Sequence, residues 1–412
     1  MTSHASIWSY AASSYLPAMM YEIGNGAIMP VLVTTATHLG AATEEAAFTL
    51  ALLGLGKLIG DVPASWIAER FGDRRSMMGA ACIAFLAFFA CMVSRSLIEL
   101  DVAVTILGIT SSTFYLARQS YLIEVVPVWL RARAQSTLAG SHRIGLFIGP
   151  FLGAAAISVG GVQAAYLVAM ATAIATAVLL FVVRDVERHG QAQPSGAKGV
   201  HGLTILRARG RMFLTLGFTV AAVSAVRQSR QTVLPLWALH IGLSPTQTSL
   251  MFGIANAVDA ALFYPSGRVM DRWGRLAIAL PAMTIMGVAM ITLVHTHTFA
   301  DLTLVAMAMS FGNGIGSGII QTIGADAAPI DGRRRFLGIW RVFSDGGTGL
   351  GPVIVSIVAG AATLALGIVT IGGTAFLAAA GLAVWVPKFT AFATPRSVRA
   401  HRRDHRPVDS GA

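Results

Sequence analysis

The sequence holds twelve separate runs of mostly apolar residues, each long enough to cross a lipid bilayer. A hydrocarbon core about 30 Å thick needs about 20 residues of α-helix. The runs lie at 14–36, 46–68, 76–95, 101–125, 134–158, 163–183, 212–238, 248–270, 277–296, 302–327, 336–360 and 364–386. Composition removes the soluble alternative. Of the 412 residues 12% are charged and 55% are apolar, against about 25% charged in a soluble domain. That is too little polar surface to cover even one soluble core. Disorder, a collagen-like chain and a disulfide scaffold are excluded too. The two cysteines, Cys82 and Cys91, share one apolar run and form neither a bridging framework nor a metal site. The expected fold is an all-α membrane protein of twelve transmembrane helices. The first fourteen residues lack Lys and Arg, so no signal peptide is expected and the first span stays.

Orientation follows from the distribution of Lys and Arg. With the N-terminus inside, 23 of the 30 fall on the cytoplasmic side, in stretches such as Arg70–Arg75, Arg131–Arg133 and Arg333–Arg335, and the outer loops hold only Arg95. Both termini are therefore expected in the cytoplasm. Lys57, Arg118, Arg143, Arg227, Arg230 and Arg341 lie within spans. The same bias accounts for the net charge of +11, so no nucleic-acid partner is required. The basic stretch Arg399–Arg406 reads as a topology signal in contact with lipid headgroups.

Residues 185–211 interrupt the hydropathy with Gln191-Ala-Gln-Pro-Ser-Gly and read as a cytoplasmic linker. They separate two six-helix bundles, 1–184 and 212–387, and a basic cytoplasmic tail occupies 388–412. One offset of 202 residues aligns the two halves without gaps. It sets His38-Leu39-Gly40 on His240-Ile241-Gly242, Pro63 on Pro265, Gln119 on Gln321, Glu124 on Asp326 and Gly149-Pro150 on Gly351-Pro352. Two parallel six-helix repeats are the anatomy of a rocking transporter, with the site near mid-membrane between them.

Ser65-Trp-Ile-Ala-Glu69-Arg70-Phe-Gly72-Asp-Arg74-Arg75, between spans two and three, resembles the signature loop of the major facilitator superfamily, G-x-L-x-D-R-x-G-R-R. A second copy, Gly267-Arg-Val-Met-Asp271-Arg272-Trp-Gly274-Arg275, lies between spans eight and nine and is closer to the pattern. The resemblance covers essentially the whole chain. It implies a cytoplasmic latch, in which Glu69 or Asp271 caps the N-terminus of a helix in the other half. By the same resemblance the following arginines pair with Glu124 and Asp326. The alternative is that these charges only set topology. In span five, Gly145-Leu-Phe-Ile-Gly149-Pro150-Phe-Leu-Gly153-Ala154 looks like the G-x-x-x-G-P-x-x-G-G signature of this superfamily's proton-driven exporters. Packing alone is the other reading, since small residues four apart let helices approach and Gly347-Thr-Gly-Leu-Gly351-Pro352 repeats the pattern in span eleven. The arginine that those exporters carry in the outer half of span four would fall near Val104, where this chain has none.

A charge inside a span costs several kcal/mol unless paired or facing water, so each marks a functional candidate. By resemblance, spans one, four, seven and ten line the central cavity. There this chain places Glu22 and Asn25; Tyr115, Arg118 and Gln119; Arg227, Arg230 and Gln231; and Asn313 and Gln321. Three arginines against Glu22 suit an anionic, zwitterionic or polar neutral solute better than a simple cation. The 202 offset also sets Lys57 on Asp259 and Arg143 on Asp345, so the signs reverse between halves. In this fold span two faces span eleven and span five faces span eight. Two ion pairs bridging the halves are therefore expected, Lys57 with Asp345 and Arg143 with Asp259. Glu22, Asp259 and Asp345 are the expected proton-coupling groups.

Soluble motifs fail on context. Gly312-Asn-Gly314-Ile-Gly316 sits mid-span with no strand before it, and Gly54-Leu-Gly56-Lys57 lacks the phosphate-loop spacing. No cofactor and no enzymatic constellation is expected. The expected function is export of a small organic molecule by proton antiport, from a monomer in a bacterial inner membrane. The alternatives are proton symport of a small organic anion and a membrane sensor that no longer transports.

Overall fold

The computed structural model describes residues 11–126, 131–183, 206–329, 333–390 and 392–397, with the side chains of 11, 12, 62, 123, 131–133, 263, 264, 267, 271 and 333–335 outside that description. Most of the expected linker and tail lie outside it as well. The described residues are helical, with no strand among them. Every apolar run but the tenth becomes one long helix, because in lipid every backbone N–H and C=O must find a partner within its own segment. Spans one to six are Leu16–His38, Thr43–Phe71, Asp73–Val93, Leu97–Val125, Arg131–Gly160 and Val162–Val182. Span seven is Phe218–His240, preceded by a π-helical turn over Phe213–Gly217. Spans eight and nine are Pro245–Trp273 and Leu276–Leu293, and spans eleven and twelve are Arg333–Ala361 and Leu364–Phe389.

Ten of these helices are long and apolar enough to cross a membrane, and span two makes an eleventh when its two segments, bent by 53° next to Pro63, count as one. Span eight is not among them, with Asn256 and Asp259 lowering the hydropathy of its middle. Local chemistry sets the ends. Ser96, Thr298 and Thr363 accept the backbone N–H of Glu99, Asp301 and Leu366 at the starts of spans four, ten and twelve. Ser244 and Gln247 form a reciprocal cap on span eight. Gly72 and Gly274 end spans two and eight at φ +83° and +89° with extended ψ, a region essentially reserved for glycine. This is the physical reason for the glycine in each signature loop.

Span ten departs from the expected continuous helix. It runs Phe299–Ile315, breaks over Gly316-Ser317-Gly318 with Gly318 left-handed at φ +74°, and resumes as Ile319–Ala327. Within the first half, span one packs on spans five and six, and span four on spans two and three. In the second, span seven packs on span eleven, and span ten on spans eight and nine. Between halves, span two lies against span eleven and span five against span eight. These two seams frame the site.

Candidate functional site

A cavity of about 410 Å³ lies between the halves. One wall carries Glu22 and Asn25 of span one, Lys57 of span two, Tyr115 and Arg118 of span four and His142 of span five. The facing wall carries Gln228, Arg230 and Gln231 of span seven and Asn256 of span eight. A second compartment of about 270 Å³ shares Gln228, Arg230 and Gln231 with the first and adds Arg143, Arg227, Asn313, Gln321 and Ser344. Gln119 is the exception among the expected lining residues. It lies one turn below Tyr115 on the same helix face, where it is exposed and lines neither compartment.

Glu22 is 1% exposed, and its partner was not foreseen from the sequence: His142 Nδ1 lies 2.9 Å from Glu22 Oε1. Tyr115 organises the space around this pair. Its ring stands edge-on to His142, and Lys57 Nζ and the Arg118 guanidinium carbon sit 5.5 and 5.1 Å from its centroid. Asn25 donates to Tyr115 Oη at 3.5 Å. Arg118 Nε and Nη1 are buried with no hydrogen-bond partner. The repeat shows that this corner is one-sided. At the 202 offset Glu22 and His142 correspond to Ser224 and Ser344, whose hydroxyls also meet, at 3.4 Å. The same contact is titratable in one half and neutral in the other.

In the second half the arginines organise backbone as well as charge. Arg227 Nε donates to Asn313 Oδ1 at 2.9 Å, Nη1 to Gly316 O at 2.7 Å and Nη2 to Asn313 O at 3.3 Å. All three nitrogens thus serve the break in span ten, where unwinding leaves carbonyl oxygens without helix partners. Arg230, 4% exposed, donates to Ser310 Oγ and to Asn256 Oδ1 at 3.3 Å, while its Nε has no partner.

The two expected bridges between halves part company. Arg143 Nη1 reaches Asp259 Oδ2 at 2.7 Å, and Asn313 Nδ2 donates to Asp259 Oδ1 at 2.8 Å. Lys57 and Asp345 do not pair. Arg341, one turn before Asp345 on span eleven, reaches it at 2.9 Å and also bonds Asp61 of span two at 3.2 Å. Lys57 is left to the cavity. A guanidinium with several donors on the same helix face outcompetes a lysine across the seam. The bridge between spans two and eleven is therefore Asp61–Arg341–Asp345.

On the cytoplasmic side, Arg275 Nε meets Asp326 Oδ2 at 2.9 Å, as the resemblance implies, and its guanidinium lies over the Phe392 ring. In the first copy, Arg74 donates to the carbonyls of Leu180, Phe181 and Val183 at the end of span six. Four orphan carbonyls at a helix C-terminus make a good arginine site. Glu69 and Arg70 are exposed, and Arg70 lies over the Trp66 ring. Among the described residues Glu69 caps no helix of the other half, and residues 330–332, just before span eleven, lie outside them. Arg272 is exposed, and the Asp271 side chain lies outside the described residues.

The span-five glycines form a seam. A Cβ on Gly145 would fall 2.5 Å from Met19 O and 2.6 Å from Glu22 Cβ, one on Gly149 2.5 Å from Ile23 O, and one on Gly153 2.9 Å from Ala27 O. Pro150 lies in the same contact, 3.1 Å from a Cβ on Gly26. In span eleven Gly347 and Gly351, the latter just before Pro352, meet Ala221 and Ala225 of span seven in the same way.

The family model described as Major Facilitator Superfamily matches residues 15–352, and a second match covers 216–408. The chain belongs to the major facilitator superfamily. It is a multi-pass integral membrane protein that performs secondary active transport of a small-molecule substrate, and it is not an enzyme. Among solved structures, a transporter of the POT family in complex with 5-aminolevulinic acid superposes with a TM-score of 0.75 at 13% identity, over 91% of this chain and 96% of that one. The xylose transporter XylE from E. coli, in an inward-open conformation, gives 0.72 at 16% identity over 96% and 100%. A D-xylose-proton symporter gives 0.68 at 15% identity over 94% and 98%. At such identities the likeness concerns the fold. A comparison with curated protein sequences finds no match.

Proposed function

We propose that this superfamily member is a proton-coupled transporter of a bacterial inner membrane that moves a small organic anion together with protons. The observation that carries the reading is the buried Glu22 with His142 at 2.9 Å, set in a cavity whose other charges, Lys57, Arg118 and Arg230, are all positive. An ionised Glu22 competes with the solute for these cations. A proton added at this corner removes a negative charge. At about 5 Å and an effective dielectric of about 20 that is worth about 3 kcal/mol, or about a hundredfold in anion affinity. Linkage makes the effect reciprocal, so bound anion favours the proton equally. Proton and anion that bind together travel together.

Export by proton antiport is the second reading, and the span-five glycine–proline signature favours it. Reconstitution into liposomes with an internal pH dye separates the two. Protons entering with an anion support symport, and protons moving against the solute support the exporter. Glu22→Gln is expected to fold and bind anion while losing its response to a pH gradient; unchanged proton-driven flux in that variant would remove Glu22 from the coupling.

A further inference from the structure

We infer that the solute carries two acidic groups, one held by Lys57 and Arg118 on the first wall of the cavity and the other by Arg230 on the second. The inference rests on the anion reading above and specifies it further. Each wall is lined by an arginine with at least one buried guanidinium nitrogen that has no partner. On the first, Arg118 Nε and Nη1 are buried and unpaired, beside a lysine that shares the Tyr115 ring. On the second, Arg230 is held rigid by Ser310 and by Asn256, which is itself fixed to Leu146 O at 3.0 Å, yet its Nε has no partner. Buried donors of this kind are rare unless something binds them.

Charge counting points the same way. Lys57, Arg118 and Arg230 face a single carboxylate, Glu22, among the residues lining this cavity. Other carboxylates nearby are already engaged, Asp259 by Arg143 and Asn313, and Asp61 and Asp345 by Arg341. Among the residues lining the cavity the surplus is two positive charges. One acidic group would leave one wall with an unpaired buried cation, whereas two would neutralise both. Guanidinium forks suit carboxylates best, through paired N–H donors in one plane. A cavity of about 410 Å³ limits the skeleton between the two groups to a small one. Arg227 is not part of this site, because its three nitrogens hold span ten.

The test is a binding series on the purified full-length protein, read by ligand-induced thermal stabilisation. The probes are unbranched and aromatic dicarboxylates of increasing length, the half-amide of each, and matched amines. The best dicarboxylate is expected to bind about tenfold or more tighter than its own half-amide, the difference one charge-assisted contact makes. Arg230→Gln is expected to weaken the diacid far more than its half-amide and so to bring the two affinities together. Arg230→Lys, which keeps the charge and loses the fork, should fall between. Equal affinities of diacid and half-amide in the unmodified protein would overturn the two-acid inference and leave the anion reading standing. Binding of the amines with neither acid bound would overturn both.

Discussion

Gly145→Ala adds one methyl group at the tightest point of the contact between spans five and one. The new Cβ would stand 2.5 Å from the Met19 carbonyl oxygen and 2.6 Å from Glu22 Cβ, roughly 1 Å short of ordinary contact. Backbone lies on both sides, so no side chain can swing aside and the helices themselves must part. Overpacking of this kind costs about 1–3 kcal/mol. The same helix supplies the control. Nothing lies within 4 Å of a Cβ on Gly140, so Gly140→Ala should gain about 0.5–1 kcal/mol from the lower conformational freedom of alanine. Two Gly→Ala changes five residues apart are thus expected to shift thermal stability in opposite directions. Gly145→Ala should also displace Glu22 from His142 and flatten the pH dependence of transport. Equal stability of the two variants would mean that span one is not seated on span five as described.

Asp259→Asn leaves Arg143 buried without its carboxylate and is expected to cost about 3–5 kcal/mol, lowering the unfolding midpoint; exchanging the two residues should recover part of the loss, and an additive loss would mean that they do not meet. Gly72→Ala is expected to cost about 1–3 kcal/mol from the backbone alone. Gly274→Ala should cost more, because its Cβ would also stand 2.8 Å from the Ala393 carbonyl oxygen. Thermal unfolding of the pair ranks them, and the reverse order would sink the steric argument.

The spans were legible because lipid imposes one rule on every residue of a crossing helix, and the apolar runs report it within a few positions. The break in span ten was not. Gly312 and Gly316, like Gly314 and Gly318, stand four apart, the spacing of close helix packing, and the three bonds of Arg227 to this stretch mark the break only in three dimensions. The repeat located Arg143 opposite Asp259 because both positions carry charge at the 202 offset. It misled at Lys57. Asp61 and Arg341, which take Asp345 away, correspond to Phe263 and Ala139, so symmetry gave no warning of them. His142 is adjacent to Arg143 in sequence and one turn before Gly145, on the seam that meets span one. That periodicity could have found it, but a lone histidine in an apolar run carries no motif.

The lower piece of span ten has a mechanical consequence. Ile319–Ala327 is nine residues long, a stiff rod of about 13 Å, jointed at Gly318 to the rest of the span. Its upper turn carries Gln321, on the wall of the second compartment, and its lower end carries Asp326, tied to Arg275 in the signature loop. A rod with a pivot and two loaded ends is a lever. A shift of the loop that pulls on Arg275 is expected to tilt Gln321 at the cavity wall. The short rod thus offers a direct mechanical route between the cytoplasmic loop and the cavity, apart from the upper part of the span.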